Sequence, residues 1–166
     1  MEFTLSEEQL MIQQAARDFA QNELLPGVIE RDEEQKFPAE QIKKLGELGF
    51  MGMMVDPKYG GSGLDTMSYA IAMEELSKVD ASASVVVSVN NSLVCWGLET
   101  FGNEEQKKKY LTKLATGEII GAFCLSEPEA GSDATSQKTT AIDKGDHYIL
   151  NGTKNWITNG GTASVY

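Results

Sequence analysis

The chain has 166 residues, the length of one ordinary domain or two small ones, and its 41% hydrophobic and 23% charged residues suit a chain that buries a core. Fourteen basic residues against 25 acidic ones give a formal charge of −11, which argues against a nucleic-acid binder or a protein docked on an anionic membrane, since both need surplus Lys and Arg. No run approaches the ~18 uninterrupted apolar residues of a spanning helix, and the acidic start Met1-Glu2-Phe3-Thr4-Leu5-Ser6-Glu7-Glu8 has neither the basic and apolar regions of a secretory signal nor the Arg content of a transit peptide, so no export is expected.

Ser6 with Gln9 three residues on spells a capping box, with Leu5 placed as a staple. Leu10, Ile12, Ala15, Ala16, Phe19 and Ala20 then form an apolar stripe at helical spacing. Pro26-Gly27 breaks that run. A second helix is expected from about Pro38 to Gly49 with Ile42, Leu45 and Leu48 inward, followed by a Gly-rich loop, Pro57-Lys58-Tyr59-Gly60-Gly61-Ser62-Gly63. A third helix starts at Asp65 and carries Tyr69, Ile71, Ala72, Met73 and Leu76. From Ala81 to Asn90 the valines alternate with serines, a local strand signal. Asn103 with Gln106 caps a further helix that ends near Gly117, and Glu104–Lys108 and Glu105–Lys109 are placed as i,i+4 pairs.

After Gly117 the period changes. Ile119–Leu125 reads as a short strand, Lys138–Ile142 and His147–Leu150 as a hairpin around Lys144-Gly145-Asp146, and Trp156-Ile157-Thr158 as extended. Helices first and strands afterwards predict an α+β architecture of separate layers or domains. A three- or four-stranded sheet stopping at Tyr166 would have an open edge, so the chain is expected to be part of a larger protein.

Cys95 and Cys124 are too few for a disulfide scaffold and are expected to be reduced and buried. With His147 as the sole histidine, no zinc spacing and no hydrolase nucleophile turn can be found. Two other segments carry chemistry. Phe123-Cys124-Leu125-Ser126-Glu127-Pro128-Glu129-Ala130-Gly131-Ser132-Asp133 runs an extended segment into a turn that can present amide donors and hydroxyls to an anionic or carbonyl-rich ligand; an ordinary strand-to-loop connection would read the same. In Asn155-Trp156-Ile157-Thr158-Asn159-Gly160-Gly161, an extended backbone would place Trp156 and Thr158 on one face, a wall and a hydroxyl for a flat cofactor, or simply a core Trp and a ladder Thr.

Together these segments resemble the acyl-CoA dehydrogenase family. The run Cys124 to Ser136 matches the family signature position for position, and Asn151-Gly152-x-Lys154-x-Trp156-Ile157-Thr158-Asn159-Gly160 is similar to its second flavin-contact strand at the usual spacing. The loop Pro57 to Gly63 and the helix start Phe101-Gly102-Asn103-Glu104-Glu105-Gln106-Lys107 resemble two further family segments, in the family's order. The resemblance implies a flavoenzyme that uses FAD to oxidise short- to medium-chain acyl-CoA thioesters to trans-2-enoyl-CoA. Electrons would pass to an electron-transferring flavoprotein, in a cytoplasmic homotetramer. It implies an N-terminal all-helical domain over residues 1–118 and the start of an antiparallel β-barrel-like middle domain over 119–166, and it favours helix over strand for Ala81 to Asn90.

Carried over by residue, the resemblance gives Phe123, Cys124, Leu125, Ser126, Gly131, Ser132, Trp156, Ile157 and Thr158 as cofactor-binding. Ser126 would offer its hydroxyl to the flavin pyrimidine, Phe123 and Leu125 would line the ring, and Ser132 would reach the pyrophosphate or the CoA side of the substrate. Trp156 would pack against the isoalloxazine and Thr158 would bond near N5, where the hydride arrives. Asp133 would orient its turn, and neither Glu127 nor Glu129 would act as the base. The base, a Glu of a C-terminal helical domain, would lie outside the chain, which would be inactive alone. Two alternatives accompany this reading: an acyl-CoA oxidase using O2, and a non-catalytic helical interaction module on the same fold.

Overall fold

The computed structural model describes residues 4–166; Met1, Glu2 and Phe3 of the acidic start lie outside the described residues. Helix α1 (Glu7–Phe19) opens on the expected capping box: Ser6 Oγ accepts from the Gln9 N–H at 3.2 Å and Gln9 Oε1 from the Ser6 N–H at 3.1 Å. A π turn, Ala20–Leu24, extends it to the Pro26-Gly27 break. Ala16, Phe19, Ala20 and Leu24 turn inward, whereas Leu10 and Ala15 are exposed, so the apolar stripe is narrower than the spacing predicts. A short helix, α2 (Val28–Glu33), buries none of its residues and carries no periodic signal in the sequence. In α3 (Ala39–Glu47) Ile42 and Leu45 are buried as expected, but Leu48 is exposed because it is already the C-cap. The Gly-rich loop begins with a 3-10 turn, Pro57–Tyr59, and a Cβ on Gly61 would stand 2.1 Å from the Val55 carbonyl oxygen, so only glycine lets the loop close on this backbone.

Helix α4 (Thr66–Ser77) starts on Asp65, which accepts the Ser68 N–H at 2.7 Å, and packs along α1. The Ala81–Asn90 stretch is helical: α5 (Ala81–Ser88) continues through a π turn (Val89–Cys95) into α6 (Trp96–Phe101). The alternation misleads because Val86 and Val87, on adjacent positions, are both buried, and tertiary packing overrides the β preference of valine. Ala81–Phe101 is long and apolar enough to cross a membrane by length and composition, with a mean hydropathy of 1.3, yet 44% of the apolar window is buried inside the protein. Asn103 caps α7 (Glu104–Gln106) in a second capping box, and a π turn (Lys107–Leu111) leads into α8 (Thr112–Ala115). Glu104 turns to Tyr59 instead of Lys108, accepting the phenol hydroxyl at 2.9 and 3.1 Å.

The core has two lobes. One joins α1, α3, α4 and α5 around Leu24, Leu45, Met51 and Leu76; the other joins Val55 and Tyr59 to Val94, Cys95, Leu111 and Leu114. Cys95 is fully buried, and burial pushes its thiol up to about 12; Cys124 is only half-buried. Beyond α8, Ile119–Leu125 does not form the expected strand. Among the described residues it makes one parallel bridge, Gly121 with Val165, flanked by Ala122 N–H to Val165 O and Ser164 N–H to Ile120 O, both 2.9 Å, and its other main-chain groups join no ladder. The hairpin is as expected: β1 (Thr140–Asp143) pairs antiparallel with β2 (Tyr148–Asn151) in the register Thr140 with Asn151 and Asp143 with Tyr148. The chain is thus a helical domain followed by a small antiparallel sheet whose strand residues are all exposed.

Candidate functional site

The second half of the molecule is organised by one carboxylate. Glu127, 8% exposed, closes a turn with Ala130 through two main-chain bonds of 3.1 Å. Its carboxylate accepts from Lys154 Nζ at 2.8 Å, from the Thr139 N–H at 3.1 Å and from the Lys138 N–H at 2.6 Å. Lys154 Nζ donates further to Leu125 O at 3.0 Å and Gln137 Oε1 at 2.6 Å, and the Asn155 N–H donates to Ser126 O at 2.9 Å. Segments 123–127, 137–139 and 154–155, separate in sequence, are thereby tied to one point. Lys154 first, then the Thr139 and Lys138 donors, hold the Glu127 carboxyl down to about 2. A carboxylate so satisfied is a poor proton acceptor near neutral pH, so Glu127 holds the site together.

Two depressed carboxyls set an acid limit. Glu127 and Glu75, the latter held to about 2 chiefly by the two-pronged bond from Arg17 at 3.0 Å and by Lys78, both lie below their ordinary 4.5. Because the folded values are lowered, their stabilisation is complete above the unfolded value and is lost as pH falls from 4.5 toward 2. Thermal unfolding followed across that window should show the melting temperature dropping, and Glu127→Gln should flatten the drop. An unchanged slope would contradict the assignment.

The residues expected to contact a cofactor fall into three groups. Along 123–126, Phe123 and Leu125 are 44% and 39% exposed while Cys124 and Ser126 are half-buried. The Leu125 and Ser126 N–H groups and the Ser126 hydroxyl donate to no acceptor among the described residues. Gly131 and Ser132 sit exposed in the loop that follows. Asp133 orients that loop by accepting the Thr135 and Ser136 hydroxyls, which hold its carboxyl below the usual range, and Glu129 pairs with Lys138.

Trp156, Ile157 and Thr158 do not form the expected extended segment. Trp156 has φ 58° and Asn159 φ 66°, and the chain turns back just after it: Gly160 N–H bonds Ile157 O at 3.0 Å and Thr162 N–H bonds Asn159 O at 2.9 Å. Trp156 and Thr158 therefore do not share a strand face. A bulky non-glycine in the left-handed region costs on the order of 1 kcal/mol, and this one holds an indole 94% exposed. Sequence reading named these residues but missed three that hold them: Glu127 and Lys154 as a tie, and Asn159, 9% exposed, whose Nδ2 donates to Gly121 O at 2.9 Å. Their signal is weak, because each acts on main chain more than ten residues away.

Two concavities lie in the helical part, one of about 640 Å³ lined by Val28, Arg31, Phe37, Asp80 and Val86, the other of about 340 Å³ lined by Met11, Ile12, Phe50, Met53 and Leu64. Neither is lined by residues 123–132 or 156–158, of which Phe123, Leu125 and Trp156 are exposed while Glu127 and Ala130 are buried. Exposed Phe123, Leu125 and Trp156 beside unsatisfied main-chain donors fit a flat aromatic group bearing carbonyl acceptors. Among the described residues no cluster of His, Cys, Asp or Glu could hold a metal ion.

The family model for the acyl-CoA dehydrogenase N-terminal domain matches residues 6–118, and that for the acyl-CoA dehydrogenase middle domain matches residues 122–166. The chain belongs to the acyl-CoA dehydrogenase family. Within it, the chain is 48% identical over 166 residues to the short-chain specific acyl-CoA dehydrogenase of Clostridium acetobutylicum, covering all of this chain and 44% of that protein. It is 50% identical over 161 residues to the mitochondrial short-chain specific acyl-CoA dehydrogenase of Homo sapiens, covering 97% of this chain and 39% of the human protein. It thus spans less than half the length of these relatives. A chain in the structure of the electron transferring flavoprotein of Acidaminococcus fermentans superposes with a TM-score of 0.94 at 50% identity, over 98% of this chain and 43% of that one. A glutaryl-CoA dehydrogenase from Mycobacterium smegmatis in complex with FADH2 superposes with a TM-score of 0.92 at 39% identity, over 96% and 41%.

Proposed function

We propose that this chain supplies part of the flavin and substrate walls of an acyl-CoA dehydrogenase that uses FAD to convert short- to medium-chain acyl-CoA thioesters to trans-2-enoyl-CoA. Electron-transferring flavoprotein is the acceptor in this reading. Residues 1–118 form the helical domain and 119–166 the first part of the middle domain, a division supported by the end of α8 at Ala115 and by the matched segments 6–118 and 122–166. The observation that carries the proposal is the surface where exposed Phe123, Leu125 and Trp156 accompany the unsatisfied Leu125 and Ser126 donors. When bound, the flavin supplies the two-electron acceptor for removal of the β-hydrogen.

Within this reading the chain's residues bind and orient. The Ser126 hydroxyl with the Leu125 and Ser126 N–H groups holds the polar edge of the ring, and Phe123, Leu125 and Trp156 exclude water from its faces. Cys124 and Ile157, half-buried, back these contacts. Thr158 contributes a hydroxyl from the turn, and Gly131 and Ser132 contribute donors toward the pyrophosphate or the CoA. Two nearby carboxylates are held in the ionised form by their donors and are poor acceptors for the α proton: Glu127 has three donors and Asp133 two hydroxyls. We therefore assign the base to the part of the enzyme beyond the 39–44% of these relatives that the chain covers. We assign the enzyme to the cytoplasm, in line with the bacterial relative, and to a homotetramer.

The test uses the full-length enzyme stripped of flavin and titrated with FAD. Trp156→Ala should weaken binding about tenfold, the equivalent of one lost aromatic contact with its burial, and Ser126→Ala should weaken it by a smaller factor. FAD uptake unchanged in both variants would overturn the proposal.

A further inference from the structure

The two proposed flavin segments are both tied to the helical domain through Gly121. Asn90, fully buried in the π turn Val89–Cys95, donates from Nδ2 to Met51 O at 2.9 Å and Leu114 O at 3.0 Å, and its Oδ1 accepts the Gly121 N–H at 3.1 Å. From the other side, Asn159 Nδ2 donates to the Gly121 carbonyl at 2.9 Å. Both main-chain groups of Gly121 are thus held by asparagine side chains, one from the helical core and one from the turn that carries Trp156. No other residue fits between them, since a Cβ on Gly121 would lie 2.4 Å from Val94 Cγ1.

Asn159 bears two penalties that its own surroundings do not explain. Its φ is 66°, and its buried Oδ1 has no hydrogen-bond partner among the described residues. Such features persist where the surrounding structure fixes them for a purpose. The segment leaving Gly121 reaches Ser126 five residues on, and Asn159 follows Trp156 by three. Fixing the two peptides that flank one Cα, one from each side, therefore fixes the offset between the two walls.

Resting on the flavin reading above, we propose that Asn90 and Asn159 are positioning residues that act through Gly121. They set where Ser126 and Trp156 stand relative to each other, and so tune flavin affinity and the flavin's environment from behind the site. Neighbouring Asn91 provides the control. It is equally buried and makes three bonds, to the Met53 N–H at 2.7 Å, Phe50 O at 2.8 Å and Val87 O at 3.0 Å, yet it touches neither Gly121 nor the segment after it.

The experiment compares Asn90→Ala, Asn159→Ala and Asn91→Ala in the full-length enzyme. It reads FAD dissociation, the visible circular dichroism of the bound flavin, and the melting temperature of the apoprotein. Asn90→Ala and Asn91→Ala should both destabilise the apoprotein, since Asn91 loses three buried hydrogen bonds and Asn90 loses three to main chain plus a weak one to Cys95 Sγ at 3.7 Å. Asn90→Ala and Asn159→Ala should weaken FAD roughly tenfold and alter its dichroism, the double variant adding little to either single one, while Asn91→Ala leaves both within twofold. Asn159→Ala removes a single bond and keeps the test available if Asn90→Ala does not fold. Flavin readings in Asn90→Ala and Asn159→Ala that match Asn91→Ala overturn the proposal, and a weakened Ser126→Ala in the same series leaves the flavin reading standing. Ser126→Ala and Trp156→Ala without effect would overturn the flavin reading itself and this proposal with it.

Discussion

Asp80→Ala is expected to cost about 3–5 kcal/mol of folding stability, the range for leaving one partner of a buried ion pair behind. Asp80 does two jobs with one carboxylate. Oδ1 caps α5 by accepting the Ala83 N–H at 2.9 Å, and Oδ2 accepts from Arg31 Nη2 at 3.0 Å. The pair is desolvated, with side chains 6% and 12% exposed. Arg31 is otherwise satisfied only by the Leu24 and Pro26 carbonyls, and its Nε already lacks a partner among the described residues, so removing the carboxylate leaves a buried charge facing neutral acceptors. The lost cap adds about 1 kcal/mol. Because Arg31 lies on α2 and reaches the end of the first helix as well, the loss should loosen the α1–α2 corner together with the start of α5. Urea unfolding should show the midpoint falling sharply, with Asp80→Asn, which keeps the cap, falling less. A change below about 1 kcal/mol, the size of a surface pair, would contradict the role given to Asp80.

Glu127→Ala should have the largest effect on the site. Lys154 would lose its carboxylate and two main-chain N–H groups their acceptor, so segments 123–127, 137–139 and 154–155 would no longer share an anchor. FAD affinity of the full-length enzyme is expected to fall on the order of ten- to a hundredfold, the scale on which supporting residues behind a bound group act. Lys154→Ala should reproduce most of the loss, since the two side chains belong to one tie. Glu127→Gln keeps an acceptor oxygen and should fall between wild type and Glu127→Ala. Equilibrium dialysis with FAD reads all three, and wild-type affinity in Glu127→Ala would remove the clasp from the account.

Local chemistry made much of the helical domain legible. Ser6, Asp65 and Asn103 announce their helices because each cap is a contact between residues three apart, and the hairpin turn at Gly145, with φ 94°, is legible for the same reason. Errors arise where partners are remote. The valines after Ala81 alternate like a strand, and only packing from two sides makes them helical. Ile119–Leu125 and Trp156–Thr158 have the composition of strands, but a strand needs a partner of matching length. Among the described residues Ile119–Leu125 makes one bridge, with Val165, and Trp156 takes a positive φ that no strand residue adopts. For the site, the motif named the residues proposed to face a cofactor. It gave no positioning role to Asn90, Asn159 and Lys154, whose main-chain targets lie 24 to 39 residues away; polar residues that serve distant main chain leave no periodicity to read.

The most direct test of the central claim is an anaerobic titration of the full-length protein with butyryl-CoA, followed by visible absorbance. A yellow protein is expected, its flavin band bleached stoichiometrically by the thioester. A colourless protein that takes up no added FAD, or a flavin band that butyryl-CoA leaves unchanged, would contradict that claim.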